Sequence, residues 1–536
     1  MTPLHRQSTA ERQNGARCRD GLIQALRRPE AYTHPVGPVG LCETHISWVL
    51  LTGDFAYKIK KPVDFGFLDF STLDKRRFCC QEEVRLNRRF AEQLYLGVVP
   101  ITGSAAQPRM GGSGTAIEYA VKMRQFDNDQ LLDRIATRGG LDAALVDEMA
   151  EVIGGFHERT ARAAPASAWG DPDDIHRWFQ ENIDHIRPLL DAGGSARQLQ
   201  RLEAWGKDEW RRRADSMRRR RQRGFVRECH GDLHLGNLVR IEGRVTLFDC
   251  IEFNPYLRWI DVISEVAFLY MDLLHRGLGQ LAHRFLNRYL QHTGDYQGLA
   301  VLRYYLVYRA LVRAKVAILR LAQETDVDER RRTLADYQAY ADLAGRCIAQ
   351  GRPALLITHG FSGCGKSTLA AQLAERLGAV QIRSDIERKR LFGYRAVERT
   401  GSGVGEGIYT RDAGRLTYER LLELAAAVVE AGLTVIVDAT FLKRAQRRPF
   451  RDLAARSGIP LRILDVRASP AELRHRIDTR RRLSRDPSEA TMRVLEKQMR
   501  DADPLLAEEG DVTVIDTSHG IDWRKLMAEL PHDSLC

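Results

Sequence analysis

The sequence has 536 residues, room for about two to four domains that each bury a core, and this excludes a single small binding module. It carries 82 Lys plus Arg against 71 Asp plus Glu, a formal charge of +11, with 29% charged and 44% hydrophobic residues. That is globular composition rather than disordered or collagen-like, and the mild positive excess suits nucleotides and phosphates as well as nucleic acid.

Residues 1–32 are polar and basic with no strong period. Alternation and β-branched content rise over 39–63, where two or three strands punctuated by Gly53-Asp54 are expected. A helix follows, with Glu82 and Glu83 near its start, and then the strand-like runs VVPITGS and TAIEYAVKM on either side of a Gly-rich turn at 111–114. Helical periods dominate from about residue 128 to 347, interrupted around 230–237. They stop at Gln350-Gly351-Arg352-Pro353. From there apolar runs (ALLIT, LTVIVDA, LRILDV, VTVID) alternate with helical segments, the signature of a parallel α/β sheet. The expected domains are 1–347, with a small lobe over about 33–127 and a large lobe over about 128–347, and 352–536.

His230-Gly231-Asp232-Leu233-His234-Leu235-Gly236-Asn237 holds an Asp and an Asn five apart, and Asp249 follows twelve residues after Asn237. This is the spacing of the kinase catalytic set. Asp232 is the candidate acceptor of a substrate hydroxyl proton, and Asn237 and Asp249 supply the oxygen ligands that Mg²⁺ takes. A plain loop with turn-forming Asp, Gly and Asn is the alternative, and three spaced matches weigh against it. His230 and His234 read as scaffold hydrogen bonders. Asp261 reads as a structural brace.

Upstream, Ala56-Tyr57-Lys58 resembles the kinase strand whose Lys pairs the nucleotide phosphates, with Glu83 as the candidate partner. Lys60 lies on the same strand face as Lys58, and Glu82 adjoins Glu83, so both assignments stay open. The G-x-G-x-x-G loop that covers the phosphates in kinases is absent.

In the last third, Gly360-Phe361-Ser362-Gly363-Cys364-Gly365-Lys366-Ser367 matches G-x-x-x-x-G-K-[ST] between a strand-like and a helical run. Backbone N–H groups from Gly360 to Thr368 would wrap phosphates, Lys366 would reach the outer ones, and the Ser367 hydroxyl would ligate Mg²⁺. Asp385 and Arg388, three apart at the start of the next helix, share one face toward a substrate. First-turn stabilisation by the helix dipole is the bland role for Asp385, and a Ser384–Glu387 capping box that for Glu387. Asp438 ends the strand LTVIVDA as a Walker B type metal carboxylate. Arg476 and Arg480, one helical turn apart, suit a lid over the phosphates; a solvated basic face is the alternative.

Residues 352–536 resemble the P-loop small-molecule and polynucleotide kinases, a group that includes the zeta-toxin-like kinases. That resemblance implies Asp385 as general base and Arg388 as a contact to a substrate anion. The loop at 230–237, with Gly231 where protein kinases carry Arg, resembles the aminoglycoside phosphotransferases and choline-kinase-like enzymes. Nearly the whole chain, including ETHISWVLLTGDFAYKIKKPVDFGFLDFSTLDKRRFC, resembles the bifunctional aminoglycoside phosphotransferase/ATP-binding proteins. The expected fold is thus α/β and α+β: a bilobal protein-kinase-like N-terminal domain, then a P-loop domain with a parallel sheet and helices on both faces. ATP and Mg²⁺ are the expected cofactors, and a hydroxyl-bearing small molecule the expected phosphate acceptor.

Two other readings remain. One is a regulatory ATP-binding protein with a degenerate N-terminal sensor lobe, motivated by the missing Gly-rich loop. The other is a polynucleotide 5′-kinase, for which the Arg runs at 211–213 and 218–221 speak weakly, because a solvated helix face explains them as well. Nine cysteines without CxxC spacing argue against a zinc ribbon or disulfide framework. With no apolar leader and no membrane-length apolar run, they point to the cytoplasm.

Overall fold

The computed structural model describes residues 21–66, 68–190, 193–321, 326–349, 351–396, 398, 400–401, 406–483 (backbone only for 480–483) and 491–530. Compactness divides the chain into residues 1–141 with 228–260, and residues 142–227 with 261–536. The segment bearing Asp232, Asn237 and Asp249 therefore groups with the small-lobe sheet, whereas the division drawn from sequence keeps it with the large-lobe helices.

The first unit is built on a six-stranded antiparallel sheet, β1 (Gly40–Glu43), β2 (Ser47–Leu51), β3 (Phe55–Lys60), β4 (Tyr95–Gly103), β5 (Pro108–Met110) and β6 (Ala116–Arg124), in the order β1-β2-β3-β6-β4-β5. Helix α1 (Leu73–Ala91) lays Cys80, Val84 and Ala91 on Ala56, Val121 and Met123 of the sheet. It begins well before Glu82, so Glu82 and Glu83 sit in its middle rather than near its start. Thr72 caps its N-terminus by accepting from the Lys75 amide, and Asp74 lies in the first turn, signals masked in sequence by the charged run that follows. After α2 (Leu132–Thr137), the unit takes in a hairpin of β7 (Leu238–Ile241) and β8 (Arg244–Leu247).

The second unit opens with long helices: α3 (Ala143–Arg159), α4 (Pro172–Ile186), α5 (Gly194–Gln222), α6 (Val262–His275), α7 (Gly279–Thr293), α8 (Leu299–Leu321) and α9 (Val327–Ile348). The Arg runs at the end of α5 are largely partnered. Arg211, Arg212, Arg213 and Arg218 pair with acids one helical turn back, Arg221 pairs with Asp171, and Arg220 is buried between Asp261 and Asp295. Asp261 also caps α6 through the Ile263 amide, which makes it structural.

A five-stranded parallel sheet follows: β9 (Leu355–His359), β10 (Val380–Arg383), β11 (Val435–Asp438), β12 (Leu461–Arg467) and β13 (Asp511–Asp516), in the order β10-β11-β9-β12-β13. On one face Leu356, Ile436, Leu464 and Val466 form a core with α10 (Lys366–Leu377), α14 (Pro470–Leu483), α15 (Met492–Asp501) and α16 (Trp523–Glu529). Helices α12 (Arg411–Glu430) and α13 (Arg444–Ser457) belong to the other face, and α11 (Ser384–Leu391) follows β10 directly. No helix among the described residues is long and apolar enough to cross a membrane. Among the described residues Cys42, Cys79, Cys80, Cys229, Cys250 and Cys364 are free thiols.

Candidate functional sites

In the first unit the two lysines left open by the sequence converge on one carboxylate. On β3 the side chains of Lys58 and Lys60 share a face, and both reach Glu83 from α1, Lys58 at 2.9 Å to Oε1 and Lys60 at 2.6 Å to Oε2. Lys58 also pairs with Asp249, and Lys60 with Glu252. Lys60 is only 1% exposed, whereas Asp249 is 41% exposed, so the Lys58 arm of this network is the one that opens to solvent. Glu82 turns away, to Arg85 and Arg258.

Burial pushes the Glu83 carboxyl up, but the Lys58 and Lys60 charges outweigh it and bring it down to about 2. Burial alone would depress the Lys58 ammonium; Asp249 and Glu83 instead hold it well above the ordinary lysine range. Burial raises the Glu252 carboxyl.

The loop at 230–237 is stitched to the Asp249 segment by its own backbone. The Phe248 amide donates to the Asn237 carbonyl at 3.1 Å, and the Ile251 amide to the His230 carbonyl at 3.0 Å. His230 Nε2 donates to the Phe248 carbonyl at 2.7 Å, in line with a scaffold role. Asn237 Nδ2 donates to the Asp232 carbonyl at 2.9 Å and to its Oδ2 at 3.2 Å, so of the side-chain amide it is Oδ1 that could ligate a metal. Asp249 has a left-handed backbone (φ 63°), held by its amide donating to the Tyr95 hydroxyl at 3.0 Å. Tyr95 and Glu252 are site residues that the motif spacing does not flag. A charged residue three positions after Asp249 was the only hint of the second.

Where kinases carry a Gly-rich loop, β1 and β2 are joined by a tight turn without glycine. The Thr44 hydroxyl accepts from the Ile46 and Ser47 amides at 3.4 and 3.0 Å, and the Thr44 amide donates to the Ser47 carbonyl at 2.9 Å.

In the second unit Gly360–Gly365 form the loop from β9 into α10, and Lys366, Ser367 and Thr368 open that helix, as the motif requires. Gly360 sits at φ 139°, and a Cβ there would lie 2.3 Å from the Val466 carbonyl oxygen, so only glycine fits. Lys366 Nζ donates to the Phe361 carbonyl at 2.7 Å. The Ser362 amide donates to Gln498 Oε1 at 2.8 Å, a contact from α15 that sequence reasoning missed.

Asp438, at the end of β11, is buried and hydrogen-bonded to the Ser367 side chain, and burial raises its carboxyl above the usual range. Gln381 Nε2 donates to Asp438 Oδ2 at 3.2 Å and to the Ser367 carbonyl at 3.3 Å. Ser367 and Asp438 thus present adjacent hard oxygens, a donor set that fits Mg²⁺.

Asp385 and Arg388 both stand near the start of α11. Both act electrostatically on the buried Tyr418 hydroxyl, whose pKa is raised chiefly by burial, and Asp385 also acts on Asp438. Arg388 reaches Thr417 at 3.3 Å and stacks over Tyr409. The Tyr418 hydroxyl accepts from the Phe441 amide at 3.1 Å, where the backbone is left-handed (φ 47°) just beyond Asp438.

The capping box expected at Ser384 is not formed. Helix α11 starts at Ser384 itself with Arg383 as cap residue, and Glu387 is buried and paired with Arg390. Arg476 comes beside the P-loop, bonded to Glu472 at 2.6 Å and to Thr517 at 2.9 Å, while the Thr517 hydroxyl donates to the Cys364 carbonyl at 2.8 Å. The side chain of Arg480 lies outside the described residues.

Comparison with known proteins matches two separate stretches of the chain. A family model described as phosphotransferase enzyme family matches residues 124–305, and one described as AAA domain matches 355–505. An uncharacterised protein of Mycobacterium tuberculosis is 32% identical over 425 residues, 79% of this chain and 83% of its own. Among solved structures, a putative kinase from Chloroflexus aurantiacus is 23% identical with a TM-score of 0.28, over 33% of this chain and 95% of its own. An aminoglycoside 2′-phosphotransferase is 12% identical with a TM-score of 0.38, over 59% of this chain and 95% of its own.

Proposed function

Because the chain belongs to the family in which a phosphotransferase domain precedes a P-loop kinase-like domain, the bifunctional aminoglycoside phosphotransferase/ATP-binding proteins, we propose that it is an ATP- and Mg²⁺-dependent kinase acting on a hydroxyl-bearing small molecule. The observation that carries this reading is the buried Asp438 bonded to the Ser367 hydroxyl directly behind the phosphate loop. The family name reports kinship of fold and brings no acceptor to this chain.

In the P-loop half, Lys366 gives up the Phe361 carbonyl and turns to phosphate oxygens, where the loop amides and the α10 N-terminus add positive potential. Ser367 and Asp438 would hold Mg²⁺, which neutralises charge on the phosphates when bound. Asp385 takes the proton of the acceptor hydroxyl as that oxygen bonds to the terminal phosphorus; the bond from phosphorus to the departing ADP breaks. Arg388 orients an anionic group of the acceptor, and Arg476 belongs to the lid side of the loop. In the N-terminal half, Lys58 set by Glu83 takes the nucleotide phosphates, Asn237 and Asp249 are the metal ligands, and Asp232 is the base. Positioning and charge neutralisation, rather than covalent chemistry by the protein, supply catalysis in both.

Lys366→Ala tests the reading. Titration of the full-length protein with ATP should lose the binding event assigned to the P-loop; an unchanged isotherm and unchanged ATP turnover would refute it.

One observation favours a second reading, a sensor lobe without turnover in the N-terminal half. The β1–β2 turn already uses the Ile46 and Ser47 amides on Thr44, so they are not free to wrap phosphates as a Gly-rich loop does. The arrangement of Lys58, Glu83 and Asp249 speaks for the catalytic alternative, and Asp232→Asn separates the two through the products formed.

A further inference from the structure

Helix α7, inside the stretch matched as phosphotransferase, carries Arg284, Asn287, Arg288 and Gln291 at spacings of three and four, so all four lie on one face. That face is turned to the P-loop half, within the same compact unit. Arg284 pairs with Glu375 of α10 at 2.6 Å. Asn287 accepts from the Gln381 amide at 2.7 Å and donates to the Ala379 carbonyl at 2.9 Å, which satisfies the open edge of β10 with a side-chain amide. Arg390, from α11, returns to the Gln291 and His292 carbonyls at the end of α7.

The chain of hydrogen bonds that continues inward has only one possible direction. Arg288 can only donate, and it donates to Gln291 Oε1 at 3.4 Å. This leaves Gln291 Nε2 as donor to Gln381 Oε1 at 3.2 Å. Gln381 must then present its Nε2 to Asp438 Oδ2 and to the Ser367 carbonyl, both of which can only accept. Gln291, Gln381 and Asp438 are all buried, so water does not substitute for a reversed partner.

We infer that Gln291, a residue of the phosphotransferase half, is a positioning residue for the metal carboxylate of the P-loop half, acting through Gln381. It fixes the orientation of the Gln381 amide, and that amide holds Asp438 Oδ2 while the same carboxylate is hydrogen-bonded to the Ser367 side chain. The inference rests on the reading of Asp438 as a Mg²⁺ ligand. In Gln291→Glu the donor to Gln381 is lost; the Gln381 amide reverses to serve the new carboxylate, and its carbonyl oxygen then opposes Asp438.

The experiment is Mn²⁺ binding to the full-length protein with ATP present, followed by the electron paramagnetic resonance of free Mn²⁺. Asp438→Asn identifies the class of sites that belongs to the P-loop half; if it removes none, the reading beneath the inference fails. Where it does remove a class, Gln291→Glu should weaken that class about tenfold, as loss of a partner behind a metal ligand does. ATP affinity in EDTA and the melting temperature should stay at wild-type values. Unchanged Mn²⁺ affinity overturns the inference and leaves the reading intact. Parallel loss of Mn²⁺ affinity, metal-free ATP affinity and thermal stability also overturns it, since a purely structural docking role does that. If Gln291→Glu does not fold, Gln291→Leu, which removes the donor without reversing the amide, is read by the same criteria with a smaller shift.

Discussion

Glu83 concentrates the electrostatics of the N-terminal site in one carboxylate, since two lysines from the same strand face share its two oxygens. Held at about 2 against an ordinary 4.5, it contributes stability that is complete above pH 4.5 and lost as pH falls through its folded value. Glu252, raised by burial, works in the opposite direction, so the two are separated by substitution. Glu83→Gln should lower unfolding free energy at pH 7 by about 3–5 kcal/mol, because the buried Lys60 ammonium and the half-buried Lys58 ammonium lose their shared partner. Urea unfolding from pH 7 down to pH 3 should also show a shallower acid slope than wild type. A variant of wild-type stability and slope would remove Glu83 from this role. At this scale the residue types were legible in the sequence and their pairing was not. Lys58 and Lys60 are equivalent on a strand face, and what separates them, Asp249 and Glu252, comes from 191 and 192 residues away.

The elements most legible in sequence are those whose signals are local. The P-loop is fixed by a strand, a glycine-bearing turn and a helix start within a few residues, and Gly360 shows why the pattern tolerates little. Gly360→Ala, with its Cβ 2.3 Å from the Val466 carbonyl, should abolish ATP binding by that half. Gly414→Ala, in the interior of α12 with nothing within 4 Å, should instead stabilise the protein by about 0.5–1 kcal/mol. Calorimetric melting and ATP titration of the two variants check the contrast, and loss of stability at Gly414 would contradict it. The start of α11 was misread for a reason of equal scale. The helix begins one residue earlier than a Ser384 capping box requires, so Ser384 is a first-turn residue and Glu387 pairs within the helix with Arg390. The β1–β2 turn is the converse case. The absence of glycines was plain, but only the structure shows Thr44 closing the turn in their place.

For the whole molecule, the order of two phosphoryl-transfer modules was legible because each carries its motif in a contiguous stretch. Their integration was not, because the face of α7 that meets β10 and α10 is an ordinary polar helix stripe until its partners are known. The compact unit formed by residues 142–227 and 261–536 carries helices of the phosphotransferase stretch together with the entire P-loop half, which makes mutual dependence of the two the expectation. The claim that both halves transfer phosphate is tested most directly by mass spectrometry of a small-molecule extract incubated with ATP, Mg²⁺ and the wild-type, Asp232→Asn or Asp385→Asn protein. The wild type should yield phosphorylated products that divide into two sets, one lost with Asp232→Asn and the other with Asp385→Asn. Retention of every wild-type product by both variants would contradict it.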